Sequence, residues 1–88
     1  MPLDQPEPLL AAFGAAVREQ RQQRGLSQEA LADLAGLQRT YLSEVETGRR
    51  NVTLVNIGRL AAALGIGVGE LMATAEGRLT PSEAERRR

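Results

Sequence analysis

The stretch GLSQEALADLAGLQRTYLSEVETG, residues 25–48, decides the fold of this chain. Glycines at its start, middle and end separate two short segments, and apolar residues recur within each segment at helical spacing. Ser27 is a suitable N-cap for the first segment, which ends at Gly36. The pattern predicts two short helices joined by a tight glycine turn.

The second of these helices, predicted over residues 38–47, has two distinct faces. Leu42 and Val45 are spaced i, i+3 and are expected to point into a core. The opposite stripe of the helix is short and polar, and it consists of Arg39, Thr40, Ser43, Glu44 and Thr47. Side chains of this kind can hydrogen-bond to the edges of base pairs.

Small residues determine how the two helices cross. Ala32 lies where the helices should meet, and a larger side chain there would push them apart. Gly36 is expected to adopt a left-handed backbone, which β-branched residues resist. The predicted shared core consists of Leu31, Ala35, Leu37, Leu42 and Val45.

Glycines and capping residues elsewhere in the chain predict five helices in all. They cover about residues 9–24, 27–36, 38–47, 54–64 and 68–75. The predicted apolar stripes are Leu10, Phe13 and Val17 in the first helix, Leu31, Leu34 and Ala35 in the second, and Ile57, Leu60, Ala61 and Leu64 in the fourth.

The two ends of the chain are expected to lie outside the domain, which we predict to span residues 9–76. Three prolines disfavour a helix before about residue 8, so residues 1–8 are predicted to form a flexible arm. Residues 77–88 are predicted to form a frayed, Arg-rich tail, in which residues 82–88 can extend weakly as a helix.

Composition narrows the possible functions. The 88 residues suffice for one small domain, and they include no cysteine and no histidine. Disulfides and thiolate or imidazole metal sites are therefore excluded, and a serine or threonine nucleophile would lack a histidine base. We expect no enzyme, no cofactor and no metal. Phe13 and Tyr41 alone provide no stacking platform for single-stranded nucleic acid.

The formal net charge is zero, but its distribution is uneven. Residues 18–50 carry six arginines against five acids, and residues 78–88 carry four against two. All basic residues are arginine, which codon usage in a GC-rich genome would explain, yet each one offers a planar fork to phosphate or guanine. The chain lacks a basic secretion signal and any apolar run of membrane length, so we expect a cytoplasmic protein with no membrane partner.

The spacing of Ala32, Gly36, Leu42 and Val45 resembles the helix-turn-helix of the Cro/repressor type, also called the XRE family. This resemblance covers about residues 13–71 and implies an all-α, compact five-helix, lambda-repressor-like DNA-binding domain, with the helix-turn-helix at helices 2 and 3. The strings QRTYLS (38–43) and ETGRRNVT (46–53) are similar to those of restriction–modification controller proteins. That similarity implies a homodimeric regulator of transcription that binds a palindromic operator in double-stranded DNA and controls its own operon.

The resemblance also implies a role for individual residues. Arg39, Thr40 and Ser43 would contact bases in the major groove. The residues implied to contact phosphates are Gln28, Tyr41, Thr47, Arg49, Arg50 and Asn51. Arg21 and Glu46 match a pair that forms a partly buried salt bridge between the first and third helices.

Simpler interpretations of the same residues stay open. Arg39 can be a solvated helix residue, Arg49 and Arg50 a solvated turn, and Tyr41 can pack its ring on the edge of the core. Glu44 either accepts from a cytosine amine or pairs with Arg39 or another neighbour. Because a carboxylate repels phosphate, we leave Glu44 out of the predicted contact set.

A single helix in the major groove contacts few base pairs, and two-fold dimers overcome this by binding half-sites about 34 Å apart. The predicted dimer interface consists of Leu64, Ile66, Val68, Leu71 and Met72; alternatively, these residues only cover the monomer core. Two other functions stay open beside DNA-binding regulation. One is an antitoxin that represses its operon and also binds a toxin, and the other is an interaction module without DNA binding.

Overall fold

The computed structural model describes residues 7–85, which fold into six α-helices with no β-strand in this part of the chain. The helices are α1 (Pro8–Gln23), α2 (Gln28–Ala35), α3 (Arg39–Glu46), α4 (Leu54–Leu64), α5 (Val68–Glu76) and α6 (Pro81–Glu85). The predicted all-α class is confirmed, and the short α6 is added to the five predicted helices. Most of the predicted arm and the last three arginines of the predicted tail lie outside the described residues.

Side-chain caps determine where α1, α2 and α4 begin. The Glu7 carboxylate accepts hydrogen bonds from the second and third backbone amides of α1, at 3.0 and 3.2 Å. Pro8 is the first residue of α1, which starts one residue earlier than predicted because a proline at this position loses no helical hydrogen bond. Ser27 and Thr53 each cap the third amide of their helix, at 3.0 and 3.1 Å.

The turn between α2 and α3 is closed by a left-handed glycine. Gly36 has a φ of 69°, a conformation that glycine adopts without steric cost. The Leu37 amide then donates to the Ala32 carbonyl at 2.9 Å, which satisfies a carbonyl left free at the helix end. The chain re-enters a helix at Arg39, so the two helices of the motif are separated by only three residues.

Helices α1 to α5 enclose one apolar core. Its buried members are Phe13, Ala16, Val17, Leu31, Ala32, Ala35, Leu42, Val45, Leu60, Ala61, Leu64, Leu71 and Ala75. Of the predicted shared core of α2 and α3, only Leu37 is partly exposed, and it packs against the others. This packing fixes the orientation of α3 and leaves its polar stripe outside.

Leu34 is a correction to the predicted apolar side of α2, because 62% of its surface is exposed. At 100° per residue, the buried arc of α2 runs from Leu31 through Ala35 to Ala32. Leu34 lies beyond the Leu31 edge of that arc, on the side away from α3 and α4. Helical spacing alone could not indicate which edge of the stripe the neighbouring helices cover.

Gly14 allows α1 to approach the end of α3 closely. A Cβ atom added there would lie 2.1 Å from the backbone oxygen of Val45 and 2.8 Å from that of Glu46. Real Cβ atoms do not come so near to backbone oxygens, so the approach requires glycine. Gly14 was not predicted from the sequence to be important. Its close contact with the end of α3 brings α1 near Glu46, the partner of Arg21.

No single helix within residues 7–85 is both long and apolar enough to cross a membrane. Helices α4 and α5 taken together reach that length and composition, and the chain bends by 100° between them.

Candidate nucleic-acid interface

The two faces of α3 differ in exposure as the sequence predicts. Leu42 and Val45 are buried in the core, whereas Arg39, Thr40 and Thr47 are exposed. The other two members of the polar stripe, Ser43 and Glu44, are half-buried. The stripe therefore forms a surface that a partner can reach along the length of α3.

A bidentate ion pair joins α1 to the end of α3. The Arg21 Nε donates to Glu46 Oε2 at 2.7 Å, and its Nη2 donates to Oε1 at 3.0 Å. The remaining Arg21 nitrogen, Nη1, donates to the Leu26 carbonyl at 2.9 Å. The hydrogen bonds to Glu46 raise the pKa of Arg21 above its usual value, outweighing the opposing effect of burial. The Glu46 side chain is only 3% exposed, and the Arg21 guanidinium beside it compensates its buried charge.

A chain of hydrogen bonds leads from this ion pair to the polar stripe. The Gln28 Nε2 donates to Glu46 Oε1 at 3.0 Å, and Arg39 Nη1 donates to Gln28 Oε1 at 3.4 Å. The second distance is long for a hydrogen bond, so the Arg39 guanidinium is held loosely. Gln28, which the resemblance implies to contact phosphate, is engaged within the protein by both ends of its amide.

Glu44 pairs with Arg50, a neighbour in the loop after α3, rather than with Arg39. Glu44 Oε1 accepts from Arg50 Nη2 at 2.6 Å and from Nε at 3.1 Å. The guanidinium carbon of Arg50 lies 5.1 Å from the centre of the Tyr41 ring, within the range of a cation–π contact. Arg50 therefore neutralises the one carboxylate of the stripe and covers one face of Tyr41.

The Tyr41 hydroxyl accepts a hydrogen bond from Asn56 Nδ2 at 3.0 Å, which ties α3 to the first turn of α4. Asn56 is not predicted as a site residue from the sequence, where its only signal is a polar side chain at the start of an apolar helix. An open groove runs between α3, the start of α4 and the turn that joins α2 to α3. Its lining residues are Gly36, Leu37, Gln38, Thr40, Tyr41, Glu44, Arg50 and Asn56.

The loop after α3 adds further polar groups beside the stripe. Arg49 and Asn51 are exposed, and neither side chain has a hydrogen-bond or ion-pair partner among residues 7–85. The Thr47 hydroxyl donates back to the carbonyls of Ser43 and Glu44, at 3.2 and 3.1 Å. Since a hydroxyl has one proton, Thr47 must rotate before it can donate to a phosphate.

Two residues of the predicted dimer interface belong to the monomer core, which corrects that part of the prediction. Leu64 is 2% exposed and Leu71 is fully buried, so neither offers surface to a second copy. Ile66 and Met72 are half-buried against the core, and Val68 is 40% exposed. Apolar spacing could not separate the two groups, because the packing of α5 on α1 and α4 decides which residues are covered.

The arrangement combines three arginines with several neutral hydrogen-bonding groups on and beside one exposed helix. Guanidinium groups suit both phosphate oxygens and the O6 and N7 atoms of guanine. Within residues 7–85, no group of three or more acidic side chains is placed to hold a metal ion. The chemistry of this surface is that of binding an anionic, hydrogen-bonding partner such as duplex DNA.

Residues 17–71 match the helix-turn-helix family HTH_3. This match covers more than half of the chain and includes α2, α3 and the turn between them. The chain therefore belongs to the XRE-type helix-turn-helix family of DNA-binding transcriptional regulators, and the resemblance predicted from the sequence is confirmed.

Individual relatives are restriction–modification controllers and a transcription factor. The control protein C.MunI from Mycoplasma sp is 43% identical over 65 residues, covering 73% of this chain and 88% of that protein. The controller protein C.AhdI from Aeromonas hydrophila has a crystal structure with a TM-score of 0.69 and 56% identity, covering 70% of this chain and 94% of C.AhdI. The hypothetical transcription factor NHTF from Neisseria has a TM-score of 0.71 and 38% identity, covering 100% and 97% of the two chains. These relatives are regulators rather than enzymes.

Proposed function

We propose that this protein regulates transcription as a restriction–modification controller does, by binding a palindromic operator as a homodimer and controlling its own operon. The observation that carries the proposal is the exposed polar stripe of α3, which begins at Arg39 and lies beside the basic loop at residues 49–51. Similarity to C.MunI and C.AhdI supports it. A DNA partner supports a location in the bacterial cytoplasm, which is part of this proposal.

Base contacts are assigned to Arg39, Thr40 and Ser43, with α3 lying in the major groove. Arg39 is the main contributor, because its guanidinium is exposed at the start of α3 and only loosely bonded to Gln28. A planar fork of this kind can donate two hydrogen bonds to guanine O6 and N7. The shorter hydroxyls of Thr40 and Ser43 contact neighbouring base edges.

Phosphate contacts are assigned to six residues of α2, α3 and the following loop: Gln28, Tyr41, Thr47, Arg49, Arg50 and Asn51. Such contacts fix the register of a protein on the duplex without reading its sequence. Arg49 is the most accessible cation of this set, because Arg50 is paired with Glu44. Thr47 is the weakest donor, because its hydroxyl proton is bonded to the end of α3.

Dimerisation is assigned to residues 66–72, where Ile66, Val68 and Met72 leave apolar surface outside the monomer core. Helices α1 to α5, which span Pro8 to Glu76, form the DNA-binding and dimerisation domain of this proposal. Two copies related by a two-fold axis would present two α3 helices to successive major grooves.

The base-contacting role of Arg39 is tested with Arg39→Lys, a variant that keeps the charge but loses the planar fork. The probe is a duplex selected by the wild-type protein from a randomised library, compared with a shuffled duplex of the same composition. We expect Arg39→Lys to lose about 1–3 kcal/mol of discrimination between the two duplexes at each contact. Its affinity for the shuffled duplex should change little, since the charge is retained.

Arg39→Ala provides the second arm of this test. It should lose the same discrimination and also weaken binding to the shuffled duplex. If Arg39→Lys discriminates as well as the wild type does, Arg39 does not contact a base through its fork, and the assignment is wrong.

A further inference from the structure

The Tyr41 side chain is held at its hydroxyl and at one face of its ring. Its hydroxyl accepts from Asn56 Nδ2 at 3.0 Å. Its ring lies beneath the Arg50 guanidinium, whose carbon is 5.1 Å from the ring centre. Arg50 is itself held by the Glu44 carboxylate through two of its nitrogens. Rotation of the Tyr41 side chain would break contacts with α4 and with the loop after α3.

The direction of the hydrogen bond from Asn56 decides what the Tyr41 hydroxyl can still do. A phenol has one proton to donate and lone pairs that accept. Because one lone pair is occupied by the Asn56 amide, the O–H must be directed away from the Asn56 side chain, and Tyr41 lines the open groove. A partner in that groove must then accept a hydrogen bond.

Two neighbours also make this O–H a stronger donor. The Asn56 N–H withdraws electron density from the phenol oxygen, since linked hydrogen bonds polarise one another. The Arg50 cation over the ring draws electron density in the same direction. Duplex DNA offers matching acceptors in its phosphate oxygens and in the O6 and N7 atoms of guanine.

We propose that Asn56 is a positioning residue for DNA binding, which commits the Tyr41 hydroxyl to donate to an acceptor on the DNA. The proposal rests on the proposed function and extends it to α4, a helix to which no DNA-binding role has been assigned. Asn56 itself touches no DNA and acts only through Tyr41.

A double-mutant cycle on the selected duplex tests the proposal, using Asn56→Ala, Tyr41→Phe and the double variant. Each single variant should weaken binding by about three- to tenfold per protomer, the range expected for one hydrogen bond. Asn56→Ala should have no further effect when Tyr41 is already phenylalanine. If Asn56→Ala weakens binding by the same factor in both backgrounds, it does not act through the Tyr41 hydroxyl and the proposal is wrong.

Asn56→Asp is a second variant of nearly the same shape, and it keeps the experiment decisive if the alanine variant folds poorly. Its carboxylate can only accept hydrogen bonds, so the Tyr41 hydroxyl would donate to it instead of donating to the DNA. We expect affinity at least as low as that of Asn56→Ala, and wild-type affinity would contradict the proposal. Thr74→Ala, which removes a hydrogen-bonding hydroxyl from α5, should bind as the wild type does.

The shuffled duplex distinguishes the two kinds of acceptor. A Tyr41→Phe loss that is equal on both duplexes identifies a phosphate, whereas a loss confined to the selected duplex identifies a base. If Tyr41→Phe binds normally while Arg39→Lys loses discrimination, the proposed function stands and the inference about Asn56 fails. If the wild-type protein selects no sequence at all, both fail.

Discussion

Arg21 compensates the charge of the Glu46 carboxylate, which is buried at the end of α3. Of the two Glu46 partners, Gln28 supplies a single amide hydrogen bond, whereas Arg21 supplies two bonds and the compensating charge. Arg21→Ala would leave an uncompensated buried carboxylate, so we expect the free energy of unfolding to fall by about 3–5 kcal/mol. Urea unfolding followed by circular dichroism measures this change.

Arg24→Ala is the matched control for that prediction. Arg24 lies at the end of α1 and is exposed, and its side chain hydrogen-bonds only to Gln20 among residues 7–85. Its loss should change stability by no more than about 0.5 kcal/mol, as is usual for surface substitutions. Equal losses for the two variants would mean that the pair between α1 and α3 contributes no more than a surface contact.

At the residue scale, the exposure of the polar stripe on α3 could be predicted from the sequence, whereas the partner of Tyr41 could not. The exposure of Arg39 followed from its place opposite Leu42 and Val45 on a helix. The bond between Tyr41 and Asn56 could not follow in the same way, because fifteen positions separate the two residues and no local rule joins them. Such contacts depend on where α4 lies relative to α3.

Gly14 illustrates the same dependence at the scale of packed helices. A glycine inside a helix normally weakens it, and replacement by alanine would be favourable where there is room. At Gly14 there is no room, because the added methyl group would lie 2.1 Å from the Val45 oxygen. We expect Gly14→Ala to force α1 away from α3 and to lower stability by about 1–3 kcal/mol or more.

Gly58→Ala makes the same chemical change inside α4 and serves as the comparison. A Cβ at Gly58 would meet no atom of the described chain within 4 Å, apart from its own helix. This variant should be more stable than the wild type by about 0.5–1 kcal/mol, owing to the helix propensity of alanine. Thermal unfolding of both variants checks the pair, and a stabilised Gly14→Ala variant would contradict the close approach of α1 and α3.

The elements themselves could be predicted because their signals are local. Ser27 and Thr53 cap their helices through a backbone amide three residues away, and Gly36 ends α2 through its own φ. The exposure of Leu34 could not be predicted in this way, because it depends on how much of the surface of α2 is covered by α3 and α4. Local chemistry therefore determined the helices, and their packing determined which apolar residues are buried.

At the scale of the whole molecule, the proposed dimer would form through the apolar surface around α5. Val68 is the first residue of α5, so Val68→Asp places a carboxylate at a helix start, where it favours the fold. In a dimer the same carboxylate would be buried without a partner. We expect Val68→Asp to weaken self-association by at least about tenfold, equivalent to 1.4 kcal/mol, in sedimentation equilibrium.

Leu34→Asp is the control for self-association, because it introduces the same charge at an exposed leucine outside the proposed interface. Its association should match that of the wild type. If Val68→Asp associates as tightly as the wild type, or if Leu34→Asp dissociates to the same extent, the interface does not lie at the start of α5.

The sequence recognised by the wild-type protein tests the central claim most directly, namely that two copies of α3 contact one operator. Selection from a randomised duplex library should enrich a two-fold symmetric sequence whose half-sites lie about 34 Å apart along the duplex, one helical turn or a multiple of it. Footprinting on the enriched duplex should protect both half-sites together. Enrichment of a single half-site without symmetry, or of no sequence, would contradict the account.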